Sequence, residues 1–462
     1  YRAADAEAER YRLLERIRSL GLPDARVTIE STIREGGDGG DEVDLAFLVA
    51  PGPEVRVGRV FVQRNFYTRD RVIRRELDLE PGDPLDPTAL LDAQARLYRL
   101  GLFRSVSVNA AESEEPIRDV HLRVAERPGG ELQYGFGYNT STGVRSFLQL
   151  AHRNVAGTGR ALSIRGDVNL SRSDLTPDEY LGDAGARAPR LFETRWDGRA
   201  NFVVQHRERD VDEFSIERVG VSAGVERDLL PSLQATFLVE LDDSRIFDVA
   251  PDAVLTGKDV GRLRTVSLNP ILVFDGRDDA FAPTLGVFET VRLRYGAKAF
   301  GSEVGFVKLT GQHAQYVPLG RRVTWLYSVR AGIAEALEGA SSVPLRERFF
   351  LGGRTTVRGF DENEIGPRGD EGNPVGGDLS LNVNTEVRFP LAFGIEGAVF
   401  FDGGGLYLRE EAIAIDEFRE GAGPGLRYQT PIGALSLDYG FKLDRRGDES
   451  IGEIHFSIGN VF

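Results

Sequence analysis

The sequence has no cysteine and no methionine, and it contains no apolar run long enough to cross a membrane as a helix. A spanning helix needs about 18 or more apolar residues in succession, which excludes a helical membrane protein. Asp and Glu outnumber Lys and Arg by 72 to 57, and this acidic balance argues against nucleic acid as a partner. The absence of cysteine fits an oxidising compartment such as the periplasm. Without methionine Tyr1 is not the translation start, and we expect a signal peptide and further residues upstream.

What the sequence does contain is glycine, 54 residues of it, and many short segments in which apolar and polar residues alternate after Pro128. In residues 323–333 one face carries Val323, Trp325, Tyr327, Val329 and Ile333, and the other carries Thr324, Ser328 and Arg330. Such two-faced strands occur in soluble sandwiches and in barrels. Aromatic residues on one face with charged residues opposite favour a barrel that has lipid outside and water inside.

The strand count supports a large barrel. Residues 128–462 allow about 21 residues per strand and connection in a barrel of about 16 strands. About fifteen segments are convincing, and the number must be even if both ends face the periplasm. We place the remaining strand at Asp178–Pro189. Short connections such as Thr430–Gly433 alternate with long ones such as Glu335–Asp378. We therefore predict a transmembrane antiparallel β-barrel over 128–462.

The residues before the barrel have a different pattern. Residues 1–20 predict a helix, and two strands follow at Arg26–Ile33 and Glu42–Val49, joined by the loop Glu35–Asp41. A helix with two strands is incomplete as a domain. We interpret residues 1–52 as the C-terminal part of a truncated module.

Residues 53–127 predict a complete module in the order strand, helix, helix, strand, strand. The predicted elements are Val55–Gln63, Thr68–Leu77, a helix from the N-cap Asp86 to Gly101, Phe103–Ala110 and Ile117–Ala125. This order, together with the segment LYRLGLFRSVSV, resembles the POTRA module of outer-membrane assembly proteins.

A set of motifs in the C-terminal half extends this resemblance. In chain order they are Phe274–Phe288 (FDGRDDAFAPTLGVF), Arg348–Phe360 (RFFLGGRTTVRGF), Ile365–Pro367, Asn384–Leu391, Val399–Gly404 (VFFDGG) and Gly421–Gly440. Their order and spacing resemble the BamA/TamA family of outer-membrane β-barrel assembly proteins, and the resemblance covers residues 54–462. The short arginine-bearing loop and the IGP and GLRYQTPIG segments favour the TamA branch.

The resemblance implies a latch between a long loop and the barrel interior. In such proteins the loop enters the barrel, so Arg358 is expected to pair with Asp402 and to lie near Glu386. A guanidinium can bind a carboxylate at two points. The latch would also contain Gly352, Gly353, Gly359 and Phe360, because glycine permits sharp turns.

We also predict a weak seam where the first barrel strand, Glu131–Tyr138, meets the last, Glu453–Phe462. The residues assigned to this lateral seam are Tyr134, Gly135, Gly137, Phe456, Gly459 and Phe462. Glycine in a strand has no side chain to pack, and it therefore weakens the pairing. A weak seam could open sideways and template a client strand.

Together with this resemblance, these patterns imply a non-enzymatic assembly factor in the bacterial outer membrane, with its POTRA modules in the periplasm. It would insert β-barrel or autotransporter-type clients by strand addition to the POTRA edges, along Val55–Gln63 or Phe103–Ala110, and by opening of the lateral seam. Its expected partners are unfolded outer-membrane protein clients, outer-membrane lipid and a periplasmic or inner-membrane protein, with no cofactor and no metal. The five histidines lack ligand spacing. The alternatives are a two-partner secretion transporter, a diffusion pore, and a hydrolase built on Ser222 in a G-x-S-x-G match, which we interpret as a strand.

Overall fold

A computed structural model divides the chain into two compact units, Tyr1–Glu131 with His152–Ala161 and Leu132–Ala151 with Leu162–Phe462. The structure describes residues 2–34, 42–140, 142–171, 175–208, 214–249, 251, 254, 259–280, 282–320, 322–408, 418–430, 433–447 and 449–458. Within these ranges, no helix combines the length and the apolar character that a membrane span requires.

The first unit begins with a helix and a β-hairpin. Helix α1 (Ala3–Arg18) precedes strands β1 (Arg26–Arg34) and β2 (Glu42–Ala50), which pair antiparallel as a two-stranded sheet. The helix and both strands lie within a residue or two of their predicted positions. The predicted loop Glu35–Asp41 lies outside the described residues.

A three-stranded sheet with two helices follows. Its elements are β3 (Arg56–Gln63), α2 (Asp70–Arg74), α3 (Pro87–Arg99), β4 (Phe103–Ala110) and β5 (Ile117–Glu126). The central strand is β5, which pairs parallel with β3 and antiparallel with β4, so β3 and β4 are the two edges. Helix α3 starts where predicted, because the Asp86 carboxylate accepts from the Thr88 N–H at 2.8 Å. Its buried face joins the apolar core of the module.

The first helix of this module is shorter than predicted. The sequence pattern predicts Thr68–Leu77, whereas α2 spans Asp70–Arg74, because the backbone is extended at Arg69 before the helix and residues 75–77 form a turn after it. The Glu126 carboxylate accepts hydrogen bonds from the N–H groups of Tyr67 and Thr68, which an added helical turn would redirect.

The second unit contains most of a closed barrel of sixteen antiparallel strands, which confirms the predicted fold class. The strands are β6 (Gly130–Asn139), β7 (Gly143–Val155), β8 (Arg160–Leu170), β9 (Pro177–Ala188), β10 (Asp197–Arg207), β11 (Ser215–Leu230), β12 (Leu233–Phe247), β13 (Gly261–Asp275), β14 (Gly286–Gly296), β15 (Gly305–Pro318), β16 (Thr324–Leu337), β17 (Leu379–Pro390), β18 (Ile395–Tyr407), β19 (Arg419–Thr430), β20 (Gly433–Lys442) and β21 (Gly452–Ile458). The strand placed at Asp178–Pro189 is β9, one residue earlier at each end.

The two faces of the barrel differ as the alternation predicts. Tyr134 and Phe136 on β6 are 69% and 71% exposed on the outer face. On the inner face Asp242, Asp402 and Asp438 are almost fully buried. Apolar side chains turned outward and carboxylates turned inward are the arrangement of a membrane-spanning barrel.

Candidate functional site: the inner loop and the barrel seam

Residues 338–378, which connect β16 to β17, form a long loop that we call the inner loop. Its side chains contact inward-facing residues of several strands, so the loop lies inside the barrel. Its apolar centre packs against Leu406 of β18 and consists of Leu351, Val357, Phe360 and Ile365. The cluster shields the loop's tip from water, which strengthens the polar contacts beside it.

Arg358 binds the inner wall through its whole guanidinium group. Its Nε lies 2.7 Å from Asp402 Oδ2 and its Nη2 lies 2.9 Å from Asp402 Oδ1, a bidentate pair. Its Nη1 lies 2.6 Å from Glu386 Oε2 and 3.7 Å from Asp438 Oδ1. The structure therefore brings together the three charged residues assigned to the latch. It adds Asp438, which alternation places on the inner face but which sequence reasoning did not select.

Two of the three wall carboxylates, Glu386 and Asp438, also pair with further arginines. Arg388 Nε lies 2.7 Å from Glu386, and Arg427 bridges Glu386 at 3.3 Å and Asp438 at 2.7 Å. The guanidinium carbon of Arg358 also lies 3.5 Å from the centre of the Phe400 ring, a cation–π contact. Buried charges at this density are stable only when they are paired in this way.

The glycines assigned to the latch shape the loop's tip. Gly352, Gly353 and Gly359 have φ of 123°, 87° and 104°, a region that other residues seldom adopt. A Cβ on Gly352 would lie 2.4 Å from the Asp361 carbonyl oxygen, because the chain doubles back there. Phe360 follows this turn and is fully buried, with the cations of Arg419 and Lys442 4.6 and 4.9 Å from its ring centre.

A second anchor of the inner loop was not predicted. Arg346 pairs with Asp242 of β12 and donates to the Ser244 hydroxyl at 2.7 Å. Arg348 lies 2.7 Å from Asp259, and both side chains are fully buried. The loop is therefore held on β12 and the connection that follows it, as well as on β17, β18 and β20. The motif RFFLGG contains Arg348, but nothing in the spacing indicates that Asp259 is its partner.

The seam between β6 and β21 is narrow in the described residues. Two register pairs join the strands, Tyr138 with Ile458 and Asn139 with Ser457. Beyond β6, the Thr140 N–H donates to the Phe456 carbonyl at 3.0 Å. By comparison, seven pairs join β20 to β21 and twelve join β17 to β18.

The predicted seam residues are only partly brought together. Phe456 contacts the ring of Tyr138, at 6.1 Å between centroids, rather than Tyr134. Gly135 does not leave empty space, because a Cβ there would lie 2.4 Å from the Phe147 ring of β7. Gly137 lies on β6, between Gly135 and Tyr138. Gly459 and Phe462 lie outside the described residues.

The remaining sequence motif has no catalytic geometry. Ser222 lies inside β11, where it pairs with Asn201 of β10 and Glu240 of β12. A nucleophile elbow requires a strand-to-helix turn, so Ser222 does not lie in one. In the part of the chain that the structure describes, no three His, Asp or Glu side chains are grouped as metal ligands.

Comparison with known families agrees with the barrel and the module before it. The model of the Omp85 superfamily domain matches residues 154–462. The chain belongs to the Omp85 superfamily. The POTRA model, described as a surface antigen variable number repeat, matches residues 55–127 of this Omp85 chain.

Relatives and solved structures are similar over most of the chain. The outer membrane protein assembly factor BamA of Nitratidesulfovibrio vulgaris is 28% identical over 435 residues, which cover 91% of this chain and 53% of that protein. BamA from Haemophilus ducreyi lacking POTRA domains 1–3 has a similar fold, with TM-score 0.76 and 17% identity over 99% of this chain and 94% of that one. CdiB from Acinetobacter baumannii gives TM-score 0.60 and 14% identity over 95% of this chain and 78% of that one.

These similarities place the barrel in the bacterial outer membrane and its POTRA modules in the periplasm. Membership of the BamA/TamA family is confirmed. The preference for the TamA branch is not confirmed. The chain spans about half the length of the curated relatives it matches, 53% of one and 58% of another.

Proposed function

We propose that this protein inserts β-barrel or autotransporter-type clients into the outer membrane, by opening its seam sideways and pairing with the client. The observation that carries the proposal is the short contact between β6 and β21, with two register pairs in the described residues. BamA of N. vulgaris is named an outer membrane protein assembly factor, which supports the same function here.

Opening at this seam exposes the fewest backbone groups. Each backbone N–H or C=O left without a hydrogen bond in lipid costs roughly several kcal/mol. A barrel therefore opens where the fewest backbone hydrogen bonds break. A client strand that adds to β6 or β21 restores hydrogen bonds as it enters. The exchange of one strand partner for another needs no covalent chemistry, and we therefore propose a non-enzymatic mechanism.

The POTRA module offers two places for an extended client, since β3 and β4 are the edges of its sheet. Part of each edge is already covered. The Val57 N–H donates to the Asp83 carbonyl, and the Val106 N–H donates to the Tyr98 hydroxyl at 3.1 Å. We propose that clients add along the rest of β3 or β4 through backbone hydrogen bonds.

The inner loop argues against a plain diffusion pore, because it is anchored on two separate strands of the wall, at Asp242 of β12 and at Asp402 of β18. Export of a polypeptide through the lumen, as in a two-partner secretion transporter, would require that both anchors release. Lateral insertion leaves them in place.

The test is insertion of an unfolded outer-membrane β-barrel client by the full chain in proteoliposomes. We expect the client to become membrane-integrated, with the heat-modifiable mobility of a folded barrel, at least several-fold faster than in empty liposomes. Client released inside the vesicle and free of lipid would support export instead. Equal rates with and without the protein would contradict the proposal.

A further inference from the structure

The two inward-facing side chains of β21 that are buried both bind the inner loop. His455 and Ser457 are 3% and 4% exposed. The Gly359 N–H donates to His455 Nε2 at 3.1 Å, and Arg354 Nη1 donates to the Ser457 hydroxyl at 2.8 Å. Gly359 directly follows Arg358, so the residue beside the ionic latch is bonded to the last strand.

The same stretch of β21 also makes the seam. Phe456 lies between His455 and Ser457, and it contacts both the first strand and Thr140, the residue that follows it. The Phe456 N–H donates to the Thr140 hydroxyl at 3.3 Å. Its carbonyl accepts from the Thr140 N–H at 3.0 Å, and its ring contacts Tyr138 on the outer face. The segment 455–457 of β21 is therefore bound by the inner loop on its inner face, and the same segment closes the barrel against β6.

We infer that His455 is a positioning residue, through which, together with Ser457, the inner loop holds β21 in the register that closes the seam. The loop tip and the seam strand are then joined by these two hydrogen bonds, which release when the seam opens, while the ion pairs to Asp242 and Asp402 stay in place. This inference rests on the proposed lateral opening, and it specifies what must let go before the seam opens.

The chemistry of the contact makes the inference specific. To accept this hydrogen bond, His455 needs a lone pair on Nε2. Its imidazole is therefore neutral, with the ring proton on Nδ1. Glutamine can present an amide oxygen at a similar reach, whereas leucine fills the space without an acceptor. On β20 the Ser436 hydroxyl lies 2.7 Å from Ser457 and 3.3 Å from Arg354, which supports the second contact.

The experiment is hydrogen–deuterium exchange of the full chain in lipid nanodiscs without client, followed in peptides that cover residues 138–140 and 454–458. His455→Leu should raise exchange in these peptides about tenfold, the effect of losing one buried hydrogen bond on local opening. Arg354→Gln should raise it less, and His455→Gln should stay near wild type. His313→Leu on β15 is the matched control, because His313 pairs with Glu289 on β14, away from the seam.

Wild-type exchange in His455→Leu would overturn the inference, as would an equal rise in His455→Gln. A rise spread evenly over β11 and β12 would mean general destabilisation and would overturn it too. If His455→Leu does not fold, the test uses Arg354→Gln and Ser457→Ala instead. Unchanged exchange of the seam peptides in both variants would overturn the inference. Because no client is present, this result is independent of the insertion assay that tests the proposed function.

Discussion

Arg358 sits among three wall carboxylates, and its removal would leave them buried with less positive charge than they need. Breaking a buried ion pair from one side costs about 3–5 kcal/mol. We expect Arg358→Ala to lower the free energy of unfolding by roughly that amount, and Arg358→Lys to fall between Ala and wild type because it keeps the charge without the bidentate fork. Urea unfolding in nanodiscs, followed by loss of the folded electrophoretic form, measures this.

Arg368→Ala is the control for this substitution. Arg368 is in the same loop but donates to the carbonyls of Gly372 and Glu364 rather than to a wall carboxylate. Its loss should change the free energy of unfolding far less. Equal effects of the two substitutions would mean that the latch contributes nothing beyond an ordinary loop contact.

Glu126 in the POTRA module gives a pH dependence outside the membrane. Burial acts to raise the pKa of its carboxyl, but hydrogen bonds from Thr68 and from the Tyr67 N–H outweigh it and hold the pKa below the usual 4.5. A lowered pKa stabilises the folded form above pH 4.5, and this stabilisation is lost as the pH falls through the folded-state pKa.

We therefore expect protection of the peptide 65–69 against amide exchange, corrected for the intrinsic rate, to hold from pH 7 to 4.5 and to fall at lower pH. Glu126→Gln should show the reduced protection already at pH 7. A pH-independent protection that Glu126→Gln leaves intact would mean that the carboxylate does not order this turn.

The proximity of two residues could be expected where each belongs to a recognisable motif, and it could not where one of them carries no motif. Arg358 and Asp402 each belong to a recognisable motif, so their proximity could be expected. His455 carries no motif. Alternation predicts that its side chain points into the barrel. Which loop atom it binds depends on how residues 338–378 fold inside the barrel, and no local pattern indicates this.

At the scale of the element, the tip of the inner loop lies directly on strands β19 and β20. A Cβ on Gly440 would lie 2.3 Å from the Gly359 nitrogen, and one on Gly421 would lie 1.9 Å from the Arg358 carbonyl oxygen. These two strand glycines form a flat surface on which the loop backbone rests. The alternating pattern indicates the strands but does not show that the glycines face the loop.

We expect Gly440→Ala to displace the loop tip, because the three atoms nearest to the new Cβ, at 2.3–2.7 Å, all belong to the backbone of Arg358 and Gly359. Amide exchange in the peptide 352–360 should rise at least several-fold while exchange in β11 and β12 stays unchanged. Gly403→Ala on β18 is the control, since its Cβ would meet nothing closer than 3.8 Å. A tip as protected in Gly440→Ala as in wild type would show that the close approach is not required.

The strands themselves were the most predictable elements, because one face is set by lipid and the other by water. Strand β9 was located within one residue although its sequence is rich in small residues. Helix α2 was predicted too long at both ends, and its start depends on Glu126, which lies far away in the sequence. A local sequence pattern gives no information about a contact between residues so far apart in the chain.

At the scale of the whole molecule, sixteen strands and a POTRA module follow from the sequence, whereas the seam's true extent does not. The sequence predicts a weak seam between Glu131–Tyr138 and Glu453–Phe462 without indicating its register, and the described residues show two register pairs at the end of β6. Register across a closure joins residues more than 300 positions apart and is set by the packing of every strand between them.

The most direct test of lateral opening is a disulfide across the seam. The chain has no cysteine, so Tyr138→Cys with Ile458→Cys forms a single defined bond between register partners. Tyr428→Cys with Leu435→Cys, which joins β19 to β20, is the matched control. In the proteoliposome assay, the oxidised seam variant should lose client insertion and regain it on reduction, while the control inserts normally in both states. Full insertion by the oxidised, folded seam variant would contradict the account.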